Sequence, residues 1–179
     1  MFLSPREVLD IAVMTLAVGY IFMDLFKIPR VMSFQWRALG WACLVTAPAL
    51  ILHELGHKFT AIAFGAEATF HAAYLFLLVG IVLKLLRSPV IFFVPGYVSI
   101  PAALPLLPLG LTAFAGPGVN GLLYLLSVRM MKQKHLSKRA FILWLFTRKI
   151  NGFLFIFNML PLPGFDGFKV FSALFGLIY

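Results

Sequence analysis

The chain has 179 residues, of which 62% are hydrophobic and only 12% charged, and its mean hydropathy is +1.00. This excludes an ordinary soluble domain; at roughly 20 apolar residues per span, the length suits about five or six membrane helices with no appended soluble domain. The net charge of +9 does not argue for nucleic acid, because the basic residues gather at Lys27 to Arg37 and Arg129 to Arg139, between apolar runs, where they face anionic headgroups.

In chain order, Ser4-Pro5-Arg6-Glu7 reads as a capping box that opens a helix from about Pro5 to Phe26. Its apolar run lacks a basic start, so it is expected to be a retained helix and not a cleaved signal. After the first basic segment, a second apolar run extends from about Ala38 to Phe64 and contains His53-Glu54-Leu55-Gly56-His57. Tyr74 to Leu86 is short for a span, and Pro89 to Pro101 is rich in Val, Ile, Phe and Tyr, so this region reads as re-entrant with short strands. A run from about Leu109 to Met131 carries Gly116-Pro117-Gly118-Val119-Asn120 and reads as a span with a bent start. Ala140 to Leu160 is apolar except for Arg148, Lys149 and Asn151, which read as an interfacial stretch before a shorter buried one. The Pro161-Leu162-Pro163-Gly164-Phe165-Asp166 turn precedes a last apolar stretch, Gly167 to Tyr179. The expected fold is therefore an all-α polytopic membrane protein. It has about five to six transmembrane helices, a short re-entrant β region between the HELGH helix and the next core helix, and a single domain over 1–179. The lone Cys43 permits no internal disulfide and is read as a packing residue.

Chemistry concentrates in HELGH. Histidines four apart stack on one helix face and can offer two imidazole nitrogens to one zinc, with Glu54 beside them as a base. The bland alternative, two packed histidines and an acid, is costly inside a span unless the charges are paired or ligated. A catalytic zinc usually takes three protein ligands plus water, so the motif is one ligand short. The acids are Glu7, Asp10, Asp24, Glu54, Glu67 and Asp166. The first three lie on helix one and Glu67 lies beyond the HELGH helix, which leaves Asp166 by elimination, although an isolated Asp-Gly could be only a turn. His71 and His135 flank membrane segments and read as surface residues.

Taken together, His53-Glu54-x-x-His57 and Asn158-x-x-Pro161-x-Pro163-x-x-Asp166-Gly167 resemble the site-2 protease family of intramembrane zinc metalloproteases. The Gly116-to-Asn120 stretch resembles a further segment of that family, so the likeness runs from about Ala38 to Phe168. It implies that Asp166 is the third zinc ligand and that Asn158 helps to stabilise the oxyanion. Phe165 and Met159 stand where the family usually has Leu and often Pro, and neither position supplies a ligand. The PDZ or nucleotide-sensing domains of many relatives are not expected here.

The function this implies is a zinc endopeptidase that cuts within or near a transmembrane helix of a membrane-protein substrate in regulated intramembrane proteolysis. One zinc ion is held by His53, His57 and Asp166, and Glu54 and Asn158 are the catalytic residues. A substrate helix must unwind before its carbonyl can reach a metal, and a strand edge can hold the extended peptide; part of Ile91 to Ile100, around Pro95, Gly96, Tyr97 and Val98, is the candidate. The expected partners are that substrate and the bilayer, not nucleic acid, and the expected location is the cell membrane. The alternative from another class is a membrane divalent-metal binding or transport protein using the same His and Asp side chains; a catalytically dead scaffold is a third. Orientation stays open, because the positive-inside tendency puts the basic loops in the cytoplasm and the site nearer the outer face, opposite to what the resemblance implies.

Overall fold

In the computed structural model the described residues are 3–27, 35–88, 94–100 and 104–176. Most of the basic segment 27–37, residues 89–93 of the re-entrant stretch (including 91–93 of the candidate strand), Pro101 and Tyr179 lie outside them. Among the described residues the chain forms six helices and one two-stranded sheet. The order is α1 (Pro5–Phe22), α2 (Trp36–Ala63), β1 (Thr69–Ala72), α3 (Tyr74–Leu85), β2 (Gly96–Ser99), α4 (Leu106–Met130), α5 (Lys138–Asn158) and α6 (Asp166–Leu174). Among the described residues four helices are long and apolar enough to cross a membrane: α1 with the 3-10 turn that extends it to Phe26, α2, α4 and α5. The fold is thus an all-α polytopic membrane protein with a small β element where the Val- and Tyr-containing stretch suggested one. The chain's contacts group into two compact units, 1–51 with 70–97 and 52–69 with 98–179.

The first unit begins with the expected capping box. The Ser4 hydroxyl accepts from Glu7 N at 3.3 Å, and Glu7 Oε2 accepts from Ser4 N at 2.8 Å. Glu7 Oε1 also accepts from Phe70 N at 2.8 Å, and one turn along, Asp10 accepts from Ala72 N at 3.3 Å and from the Tyr74 hydroxyl. Two acids three apart on a helix therefore meet two amides on the same edge of a strand. Buried carboxylates need such partners, and Glu7 and Asp10 are 3% and 2% exposed. The other edge of β1 faces β2 in antiparallel register: Ala73 N donates to Pro95 O at 3.2 Å, and Ser99 Oγ donates to Thr69 O at 3.4 Å. Lys84 of α3 donates to the last carbonyls of α1, those of Tyr20 and Ile21, and pairs with Asp24 at 3.3 Å, so a cation closes the negative end of that helix. Gly19 lies against Cys43, whose thiol donates to Thr15 O at 3.5 Å, a packing role for the single cysteine. Asp10→Ala is expected to cost roughly 1–3 kcal/mol, because it orphans a buried amide and a hydroxyl at once; a clear fall in the thermal midpoint of detergent-purified protein is the check.

In the second unit, α4 packs against α5 and α6. Gly56 of α2 touches α4 so closely that a Cβ there would stand 2.9 Å from the Ala115 carbonyl oxygen; in lipid, such small residues let helices approach. The α4–α5 pair is antiparallel, with Gly121 facing Phe155, Gly152 facing Tyr124, and Asn120 bonded to Asn151. Gly164, with φ +94°, makes the backbone turn that leads from α5 into α6, and a side chain at Gly167 would collide with the Met159 backbone. These two glycines bring Asp166 to the start of α6.

Candidate metal centre

His53 and His57 lie one turn apart on α2, both buried, and the second unit carries Asp166 to them. His53 Nε2 and His57 Nε2 are 3.1 Å apart, and Asp166 Oδ2 lies 3.2 Å from the first and 3.3 Å from the second. Three ligands held about 2.0–2.1 Å from a tetrahedral zinc stand about 3.3–3.4 Å from one another. The observed triangle fits that spacing to within a few tenths of an ångström, and these are the side chains that could hold a metal ion among the described residues.

The protonation pattern around the triangle fits a cation as well. His57 Nδ1 lies 2.7 Å from the Thr112 carbonyl oxygen, which can only accept, so Nδ1 carries the proton. For His53 the assignment runs through a chain of amides. Asn151 Nδ2 donates to the Thr147 carbonyl at 2.8 Å, which turns its Oδ1 to accept from Asn120 Nδ2 at 2.9 Å. Asn120 Oδ1 then faces His53 Nδ1 at 2.6 Å and accepts a hydrogen bond from its N–H. With Nδ1 protonated on both rings, neutral imidazoles would aim bare Nε2 lone pairs at each other and at a carboxylate oxygen. Three acceptors cannot face one another without positive charge among them, either a proton on an imidazole or a metal cation. Asp166 contributes a full charge. In the metal-free site burial raises its carboxyl, but hydrogen bonds and positive charge from protonated His53 and His57 outweigh that and hold it below the usual carboxylate range.

Gly116 makes the arrangement possible. It sits one turn beyond Thr112 on α4, and any side chain there would strike the His57 ring and His53 Nε2. With none, His57 reaches past the helix surface to the Thr112 carbonyl. Glu54 is buried on α2 next to His53, and it is not among the side chains whose ligand atoms converge. Asn158 ends α5 and donates through Nδ2 to Leu154 O at 3.0 Å, which leaves its second N–H available. Pro95, Gly96 and Tyr97 belong to the first unit and Val98 to the second, on and beside β2. His135 is exposed, and the His71 ring lies tilted against Tyr97 with ring centroids 5.3 Å apart; neither is in the cluster.

Sequence reasoning missed three supporting residues, Thr112, Asn120 and Asn151. Asn151 reads from sequence as interfacial because Arg148 and Lys149 precede it, yet it is 1% exposed and Asn120 is 0% exposed. Three residues on from Arg148 it turns to the α4 side of the helix. The available signal was an asparagine inside each of two apolar runs, since such amides need a partner in lipid. Because Asn151 acts on His53 only through Asn120, Asn151→Ala is expected to weaken metal binding about 10–100-fold, the range typical of outer-shell changes. The same substitution should add nothing when Asn120 is already Ala, as read by competition with a chelator.

Comparison with known proteins points the same way. A protein of Methanocaldococcus jannaschii whose name proposes that it is a zinc metalloprotease is 33% identical over 168 residues, covering 93% of this chain and 84% of the relative. No family model matches the chain, and no solved structure matches it.

Proposed function

The chain belongs to the zinc metalloprotease family of this archaeal relative, and from that premise we propose that it is an intramembrane zinc endopeptidase of the site-2 type. It hydrolyses a peptide bond within or near a transmembrane helix of a protein substrate in the cell membrane. The observation that carries the reading is the His53–His57–Asp166 triangle, two lone pairs and a carboxylate oxygen preset for one cation. Its depth supports the intramembrane part. Gly116, against which both imidazoles lie, is ten residues from the start of α4 and fourteen from its end, roughly 15 and 21 Å along an apolar helix.

Zinc, when bound here, supplies a Lewis acid that acidifies water and polarises the scissile carbonyl. Glu54 accepts the proton of the attacking water and returns it to the leaving amine. The free N–H of Asn158 is offered to the oxygen on which negative charge develops. Thr112 and Asn120 hold the two imidazoles in the ligating tautomer throughout. Pro95, Gly96, Tyr97 and Val98 receive the unwound substrate by strand addition. The antiparallel alternation turns the backbone N–H and C=O groups of Gly96 and Val98 away from β1, and among the described residues no third strand pairs with them.

The test is cleavage of single-span helical substrates co-reconstituted with the zinc-loaded protein in vesicles, with the cut mapped by mass spectrometry. The expected cut lies within the span or at its edge; cleavage confined to soluble segments would sink the proposal. Val98→Pro, which removes one edge donor, should lower cleavage severalfold while zinc stays bound. Unchanged cleavage in that variant would take the strand out of the mechanism.

A further inference from the structure

The cations of α5 have no part in the metal site, and they are oddly placed for a span. Arg148 and Lys149 fall at the middle of a 21-residue apolar helix, and both are exposed. If α5 crossed the bilayer end to end they would lie at its midplane, where exposed charge is costly. The register with α4 resolves this. Gly152 faces Tyr124, and the Arg148 guanidinium lies over the Tyr124 ring at 5.8 Å. The two cations are therefore level with the last two turns of α4, about 5–10 Å short of its basic end at Arg129, within the reach of side chains that snorkel to headgroup level.

No acidic residue occurs between Glu67 and Asp166, so Arg129, Lys132, Lys134, Lys138, Arg139, Arg148 and Lys149 share a segment without one carboxylate. Their counter-charge has to come from outside that segment. At Arg148 and Lys149 there is also a shaped place for it, a groove of about 400 Å³ lined by Tyr124, Leu145, Arg148, Lys149, Gly152 and Phe153. The absent side chain at Gly152 lets the Tyr124 ring form the floor. Below the cations the surface turns apolar: Phe153 and Ile156 are 61% and 68% exposed. A cationic upper end above an exposed apolar strip matches a phosphodiester headgroup with its acyl chains.

We propose that this groove is a binding site for one anionic phospholipid, with its phosphate between Arg148 and Lys149 and its acyl chains along Phe153 and Ile156. The groove selects against zwitterionic lipid. Arg148 already occupies the Tyr124 face that a quaternary ammonium would need, and no acid is among the residues that line the groove. The site is independent of the protease reading and requires only that α4 and α5 lie in a membrane.

The experiment is native mass spectrometry of the delipidated, detergent-purified full chain titrated with phosphatidylglycerol or with phosphatidylcholine of the same acyl chains. One retained phosphatidylglycerol is expected, preferred at least about tenfold over phosphatidylcholine. The R148Q/K149Q double variant should lose that preference, whereas K138Q/R139Q, with the same net charge and the same helix, should keep it. Thermal unfolding without lipid, unchanged in both variants, shows that the fold is intact; the single K149Q variant, expected to lose part of the preference, stands in if the double is unstable. Equal binding of the two lipids, or equal loss in both double variants, would overturn the site in favour of diffuse attraction. Displacement of the lipid by soluble glycerol phosphate would mark a free-phosphate site and overturn it too.

Discussion

Glu54→Gln is expected to reduce peptide-bond cleavage roughly 10²–10⁴-fold, the usual worth of a positioned general base, while zinc content stays at the wild-type level. Gln keeps the shape of the buried side chain and removes only its capacity to accept and return a proton. Because Glu54 stands outside the converging ligand atoms, the metal should not notice the change. A metal transporter has no use for a non-ligand base on the site helix, so its transport would survive the substitution. Cleavage in reconstituted vesicles, measured with zinc per chain in the same sample, separates the two. Loss of both together would recast Glu54 as a ligand.

Asp166→Ala should act in the opposite way and remove the metal itself. It deletes the carboxylate of the proposed ligand set and leaves two imidazoles, so zinc affinity should fall by more than the 10–100-fold expected for an outer-shell change. The chain of bonds from α2 to α5 sets an order that chelator competition can read. Asp166→Ala should be the most damaging, Asn120→Ala next, and Asn151→Ala mildest. An Asn151 variant that loses zinc as completely as the Asp166 variant would mean that α5 has come apart and not merely that a tautomer has been lost. Measuring unfolding of the metal-free forms distinguishes these cases.

The three side chains that could hold a metal ion were legible because each carries its own local signal. His53 and His57 are spaced for one helix face, and Asp166 follows a Pro-x-Pro-Gly turn and is the acid left over. The helices were legible from apolar runs, with ends shifted by only a few residues: α4 starts at Leu106 where the three prolines suggested about Leu109, since Pro108 is tolerated in a first turn. Hidden from the sequence was everything that depends on which helix faces which. Glu7 and Asp10 look like ordinary helix acids until β1 presents the Phe70 and Ala72 amides to them. Asn151 looks interfacial until the α4–α5 register turns it toward Asn120. Gly116 looks like part of a bend, yet its missing side chain is what opens the Thr112 carbonyl to His57. Long-range pairings of this kind leave no periodic trace, because each involves one residue on each partner.

The most direct measurement of the central claim is zinc per chain, by elemental analysis, in detergent-purified wild type, Glu54→Gln and Asp166→Ala prepared side by side. Close to one zinc per chain is expected in the first two and a clear loss in the third. Metal-free wild type from preparations without chelator, or zinc indifferent to Asp166, would contradict it.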